Sequence, residues 1–238
     1  MCGRYVLTLP SEAIQALLNT RNLEESVPRY NIAPTQPVLA VWEQAGRREA
    51  KLARWGLVPG WVKDPRDFPL IINARAESMA QKPAFRDALK HQRCAVPATG
   101  YYEWQTDAQG RKRPHFIAFR DGRPMIMAGL YATWTGPEGE EIDSLALVTV
   151  PANADLAGIH HRMPAFIEGE TADLWLDVRN VRAAEAEKVI RPAPEGSLIA
   201  HPVSTRVNSA HNDGPDLIAP AIEDVPAPSG KDGQLDLF

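Results

Sequence analysis

The sequence predicts an α+β fold: one domain over about residues 1–218, built on a curved, mainly antiparallel β-sheet or barrel with peripheral helices. Three observations carry this. Between residues 93 and 150 the chain runs RCAVPATGYYEW, HFIAFR, PMIMAGLYATW and SLALVTV, short β-rich stretches separated by Gly, Pro, Asp and Lys. Few helical patterns interrupt them, which favours antiparallel pairing over βαβ units. The composition, 44% hydrophobic and 24% charged, is that of a chain able to bury a full core.

The elements follow in order. Residues 11–19 (SEAIQALLN) read as a short helix, with Ser11 placed as N-cap and Ile14, Leu17 and Leu18 on one face. A Pro-rich loop is expected from Tyr30 to Pro37. Segment 38–43 (VLAVWE) then reads as a strand, and 49–55 (EAKLARW) alternates as a second. PLIIN at 69–73 leads towards a helix over about 74–90, the β-rich series follows, and TADLWLD and VRAAEAEKVI read as helices. From about 219 the composition shifts to PAIEDVPAPSGKDGQ, with almost nothing to bury, so 219–238 is expected to be a disordered tail. Its last residues, QLDLF, are apolar again.

Charge and cysteine usage bound the function. The net charge is −4, yet residues 1–125 carry 19 Lys and Arg against 12 Asp and Glu, and the remainder 7 against 18. A basic first half can present a basic face on an acidic chain. No apolar run approaches the roughly 18 residues of a membrane span, and the N-terminus lacks the pattern of a secretion signal. Two cysteines, Cys2 and Cys94, make no disulfide framework and suit a reducing cytoplasm. Cys94, in the apolar stretch RCAVP, is expected to be buried and inert. Six scattered histidines without CxxC or HxxxH spacing point to no metal, and no cofactor is expected.

Position 2 has specific chemistry. A small second residue permits removal of Met1, leaving Cys2 with a free α-amine beside its thiol. With an ordinary pKa of about 7.7–8.0, that amine is partly neutral at physiological pH and can condense with an aldehyde. The thiol can then close on the imine carbon, giving a five-membered thiazolidine, an intramolecular step favoured by proximity.

MCGRY at 1–5, RYNIAPTQ at 29–36, RWGLVPGW at 54–61, INARAES at 72–78, PATGYYEW at 97–104 and IHHRMP at 159–164, continuing to HPVSTRVN at 201–208, together resemble the SOS-response-associated peptidase (SRAP) family. The resemblance implies that Cys2 captures the ring-opened aldehyde of an abasic site in single-stranded DNA as a thiazolidine crosslink. It further implies that Asn73 orients the amine or sugar, Glu103 is the general acid and base, and His160 moves protons. Arg4 and Arg75 would hold phosphates, with Pro34, Trp61 and Thr149 among the DNA contacts. Glu103, set among Tyr101, Tyr102 and Trp104, is a residue whose desolvation should raise its pKa. His160 and His161, placed on a strand, should point to opposite sides, with His161 at the surface. Trp55 reads as core and Trp61 as an exposed wedge, although relatives with two consecutive tryptophans there differ from the Trp61-Val62 of this chain.

QLDLF resembles the short peptide with which bacterial proteins dock on the DNA sliding clamp, with Gln234, Leu235, Leu237 and Phe238 as its contacts. The chain is expected to act as a monomer in the cytoplasm, near the nucleoid. Two other functions stay open: a cysteine peptidase or amidase with Cys2 as N-terminal nucleophile, capable of self-processing, and a clamp-bound single-strand adaptor in which Cys2 is idle.

Overall fold

The computed structural model describes residues 2–21, 23 and 25–221. The chain opens with β1 (Tyr5–Leu7) and α1 (Ser11–Leu18), then β2 (Arg29–Ile32), β3 (Pro37–Gln44) and β4 (Arg47–Trp55). A loop leads to β5 (Asn73–Arg75), α2 (Ala76–Met79) and α3 (Pro83–His91). Five strands follow with short turns: β6 (Arg93–Ala98), β7 (Gly100–Thr106), β8 (Lys112–Phe119), β9 (Met125–Thr135) and β10 (Glu141–Pro151). β11 (Arg162–Pro164), α4 (Glu170–Leu176), α5 (Ala183–Ala186) and β12 (Leu198–Pro202) complete the regular elements, before 3-10 turns at Thr205–Asn208 and Pro215–Ile218.

One sheet has the order β11-β10-β4-β3-β6-β9, with β5 also beside β10, and β9 pairs back onto β10. That last pairing closes β10, β4, β3, β6 and β9 into a ring, which leaves these five strands no free edge. Only β4 and β5 run parallel to their neighbour β10; the other pairs are antiparallel. The second sheet has the order β12-β8-β7-β1-β2. This is the expected α+β class.

Period-two alternation gives the second sheet two apolar faces. Tyr5, Tyr101 and Ile117 join the main core, while Val6, Tyr102 and Phe116 pack against Val203, Val207 and Leu217 of the C-terminal turns. Those turns therefore cover one face of the sheet, and the barrel covers the other.

Several boundaries depart from the sequence reading. Ser11 is the first helical residue rather than the cap, which falls on Pro10; its hydroxyl accepts the Ser26 N–H at 2.6 Å. The expected loop from Tyr30 contains β2, because Tyr5 and Leu7 offer partners to Ile32 and Arg29. The expected helix over 74–90 is β5 followed by two helices, since β10 recruits Asn73–Arg75 as a strand and Pro83 starts a new helix. The first residues of the expected tail are instead bound to the body, since Pro220 bridges Val203 and the Ala221 N–H donates to the Pro202 carbonyl at 2.8 Å; the tail from 222 onward lies outside the described residues.

Candidate active site

Cys2 is fully buried, and the Asn73 side-chain amide donates to its carbonyl at 2.9 Å. Asn73 is held there by the parallel register of β5 on β10, Leu147 opposite Asn73 and Thr149 opposite Arg75. Residues 73 and 75 share one side of β5, and the wholly buried Ala74 anchors the other. Burial first, and then the Glu103 carboxylate, push the Cys2 thiol well above its ordinary value; a hydrogen bond from the Arg4 backbone opposes them. A buried thiol of this kind stays protonated until a base takes its proton.

Glu103 is that base's strongest candidate. It sits on β7 with only 2% exposure, and burial raises its carboxyl above the usual carboxylate range. A carboxylate alternating outwards from a strand would show the opposite. The Arg4 carbonyl accepts the Tyr102 N–H at 2.9 Å, so the residues upstream of β1 continue alongside β7 and bring Cys2 towards Glu103.

His160 approaches from the other side. Its Nδ1 lies 3.8 Å from Glu103 Oε1, too long for a hydrogen bond and short enough for proton exchange through one intervening atom. The same Nδ1 lies 3.0 Å from the Arg162 backbone N–H and 3.2 Å from the Arg162 carbonyl, so it accepts from the first in the Nε2–H tautomer and donates to the second in the Nδ1–H tautomer, and Arg162 orients the ring in either. Burial lowers the His160 pKa, favouring the neutral ring. His160 and His161 do not point apart: their rings stack with centroids 4.4 Å apart. Both precede β11 in a bend, where strand alternation does not apply. His161 is exposed, as expected.

The expected DNA contacts fall into two groups. Arg75 is exposed, its guanidinium making no hydrogen bond among the described residues, and Trp61 is 59% exposed with its ring T-shaped against Phe68. Pro34 lies half-buried in a turn where Thr35 takes a left-handed φ of 73°, and the Thr35 N–H donates to the Trp55 carbonyl at 2.8 Å. Arg4 and Thr149, in contrast, are engaged with protein. The Arg4 guanidinium donates to Asn31 Oδ1 at 2.7 Å and the Val207 carbonyl at 2.6 Å. Trp55 is wholly buried, its indole N–H donating to the Ile72 carbonyl, and Cys94 is wholly buried with its thiol pushed up by burial.

The family model described as SOS response associated peptidase (SRAP) matches residues 1–210. The chain belongs to the SRAP family. It is 34% identical over 224 residues to the abasic site processing protein YoqW of Bacillus subtilis (strain 168), covering 92% of this chain and 99% of that one. It is 38% identical over 231 residues to the abasic site processing protein HMCES of Gallus gallus, covering 84% of this chain and 68% of the relative. Among solved structures, a protein from Bacteroides thetaiotaomicron superposes with a TM-score of 0.80 at 25% identity, covering 93% of this chain and all of that one.

Within this SRAP site the sequence reading missed Arg162 and Glu77. Arg162 is 7% exposed; it donates to both Glu77 carboxylate oxygens at 2.6 and 3.0 Å and to the Thr149 carbonyl at 2.6 Å. This fork ties α2 to β10 and β11, and the same residue's backbone holds His160. Arg162 and Glu77 both lie inside quoted motifs, IHHRMP and INARAES, and an arginine flanked by Met163 and Pro164 in a buried strand was the available signal. His115, the cross-strand partner of Glu103 and itself 8% exposed, was also missed; its position follows only from the β7–β8 register.

Proposed function

We propose that this chain processes abasic sites in single-stranded DNA by forming a thiazolidine crosslink through Cys2, after Met1 is removed. The observation that carries the reading is the setting of Cys2: its carbonyl anchored by Asn73, beside a buried Glu103 whose pKa burial raises, with His160 Nδ1 3.8 Å from that carboxyl. Two relatives matched along most of this chain are named for abasic-site processing, which supports the substrate class.

The steps balance without a cofactor. The neutral α-amine of Cys2 adds to the sugar aldehyde, and the carbonyl π electrons move to oxygen, giving a carbinolamine. Glu103, as the acid, protonates the departing hydroxyl, which leaves as water while the imine forms. The thiol then adds to the imine carbon, its proton passing through Glu103 or His160 to the nitrogen, and the ring closes. Arg75 would hold a flanking phosphate and Trp61 would stack on a base beside the lesion. Arg4 and Thr149 would shape the strand path from within, together with Pro34. The folded body, about residues 1–218, would act as a monomer in the cytoplasm, with QLDLF tethering it to the sliding clamp through Gln234, Leu235, Leu237 and Phe238.

Intact mass under denaturing conditions, after incubation with an abasic single-stranded oligonucleotide, tests the reading. The expected product is one adduct at the mass of protein lacking Met1 plus DNA minus water. Cys2→Ser should give only a hydrolysable imine, because a hydroxyl is far the weaker nucleophile. A heat-stable adduct from Cys2→Ser would sink the thiazolidine. Removal of Met1 with no adduct at all would sink the crosslinking reading.

A further inference from the structure

Two buried hydroxyls with Cys2 as an electrostatic neighbour are not used by the mechanism above. Tyr5 on β1 and Tyr101 on β7 are direct cross-strand partners, so their side chains leave the sheet on the same face. Glu103, two residues along β7, shares that face. Both tyrosines are 0% exposed, and both belong to the core cluster that contains Cys2. Among the described residues neither hydroxyl has a hydrogen-bond partner. Tyr102, the intervening residue, behaves differently: it faces the other apolar cluster, and its hydroxyl donates to the Tyr30 carbonyl at 2.8 Å. Other buried aromatic polar groups are likewise paired, Trp55 to Ile72, Trp134 to Val62 and Trp175 to Cys94. Two unpaired phenols side by side, on the face that carries Glu103, are the exception in a core that otherwise satisfies such groups, and each costs stability in the free protein.

We infer that Tyr101 and Tyr5 form a pair of hydrogen-bond donors for the oxygen of the captured aldehyde and of the carbinolamine that follows. The inference rests on the crosslinking reading above. As the amine adds, electron density moves onto that oxygen, and donors already fixed in a water-poor site stabilise it without reorganising. The phenols give up no proton in this scheme: the hydroxyl still leaves as water with the proton Glu103 supplies. Burial, together with the neighbouring Cys2 and, for Tyr101, Glu103, holds both phenols above their ordinary pKa, so they remain donors throughout the working pH range.

The test uses the full chain, an abasic single-stranded oligonucleotide, and Tyr101→Phe and Tyr5→Phe, alone and combined. Each substitution removes one oxygen and keeps the ring. A donor that serves only the reacting state gives an unusual pairing of results: about a 10-fold or greater loss of adduct formation rate per hydroxyl, towards the 10²-fold typical of one oxyanion donor, with a melting temperature equal to or above wild type. A borohydride trap of the imine should fall in parallel, because the defect precedes ring closure. Wild-type rates in both variants would overturn the proposal. So would a lower melting temperature with a proportionate loss of folded protein, which would make the hydroxyls structural. If Tyr101→Phe does not fold, Tyr5→Phe carries the same two readouts. A wild-type chain that forms no adduct, with Cys2→Ala as its blank, would fail the underlying reading instead, and the two failures are separate.

Discussion

Two buried polar clusters in this protein obey opposite rules. Arg93, at the start of β6, is 0% exposed, and its guanidinium donates to four carbonyls, those of Leu89, Trp175, Asp177 and Val181. Leu89 and Trp175 lie in the last turns of α3 and α4, where backbone carbonyls lack helical partners, so one arginine caps two helix ends. Burial lowers its pKa to about 10, which leaves it charged at neutral pH. At the other cluster, around Cys2, the Tyr5 and Tyr101 hydroxyls and Asn73 Oδ1 are buried without partners among the described residues, and burial raises the Glu103 carboxyl above the usual range. The first cluster is complete, and its product is stability. The second leaves polar groups open among the described residues, as the proposed site for transient charge requires.

The largest expected effect comes from breaking the incomplete cluster. Glu103→Gln should slow adduct formation about 10²–10⁴-fold, the usual loss for a general acid or base, read as a rate by denaturing gel. Stability should move the other way, with a definite pH dependence. A carboxyl whose folded pKa is raised contributes stability at pH values below its ordinary pKa and loses it as pH rises through the folded value. Wild type and Glu103→Gln should therefore melt alike near pH 4, and the variant should melt higher at neutral pH. A variant less stable at neutral pH would place Glu103 among the structural groups.

Arg93→Met probes the complete cluster and should reverse the pattern. Four carbonyls lose their donor, and hydrogen bonds to a charged group are worth about 1.5–3 kcal/mol each at most. A net loss of about 3 kcal/mol allows for partial relaxation; it should appear as a lower denaturant midpoint, with crosslinking by the folded fraction unchanged. Loss of crosslinking at full folding would show that the two clusters are coupled.

The sequence made these clusters unequally legible. Cys2, Asn73, Glu103 and His160 sit in short motifs of polar residues among apolar ones, and for Glu103 the upward direction of its pKa could be argued from its aromatic neighbours. Arg93 was invisible, because its partners are carbonyls 4 to 88 residues away that no side-chain pattern encodes. The stacking of His160 on His161 failed for a related reason: alternation is a property of strands, and the two rings precede one. Strand existence was readable from the β-rich runs. The closure of β9 onto β10, and the capture of Asn73–Arg75 by β10, were not, since register between distant strands is decided by the whole core.

A smaller effect separates the two arginines expected on DNA. Arg75 is exposed and uncommitted, whereas Arg4 already binds Asn31 and the Val207 carbonyl. Arg75→Ala should weaken binding to all single-stranded sequences alike and reduce the salt slope by about 0.7 to 1, measured by fluorescence anisotropy across a salt series. Arg4→Ala should cost folding stability first. Equal salt slopes for wild type and Arg75→Ala would move the phosphate contact elsewhere.

The smallest expected effect on chemistry lies beyond the described residues, in the tail, and it isolates recruitment from reaction. The described chain stays on the body through Ala221, where Pro220 bridges Val203 and the Ala221 N–H donates to the Pro202 carbonyl, and the twelve residues between it and QLDLF, 222–233, are rich in Pro, Gly, Ser and charge. If flexible, such a linker has an r.m.s. reach of about 17–21 Å, enough for the last five residues to enter a groove while the body stays on DNA. Leu237 and Phe238 are the apolar anchors, and an isolated peptide of this size should bind with micromolar affinity, about −8 kcal/mol at most. Deleting 234–238 should leave crosslinking of a short abasic oligonucleotide unchanged and should reduce it only where a clamp is loaded. Titrating a labelled 228–238 peptide against purified bacterial clamp decides between a docking peptide and a chance apolar end. Equal binding by the Leu237→Ala/Phe238→Ala peptide, or no saturation at millimolar clamp, would remove the clamp from this protein's partners and leave the chemistry at Cys2 untouched.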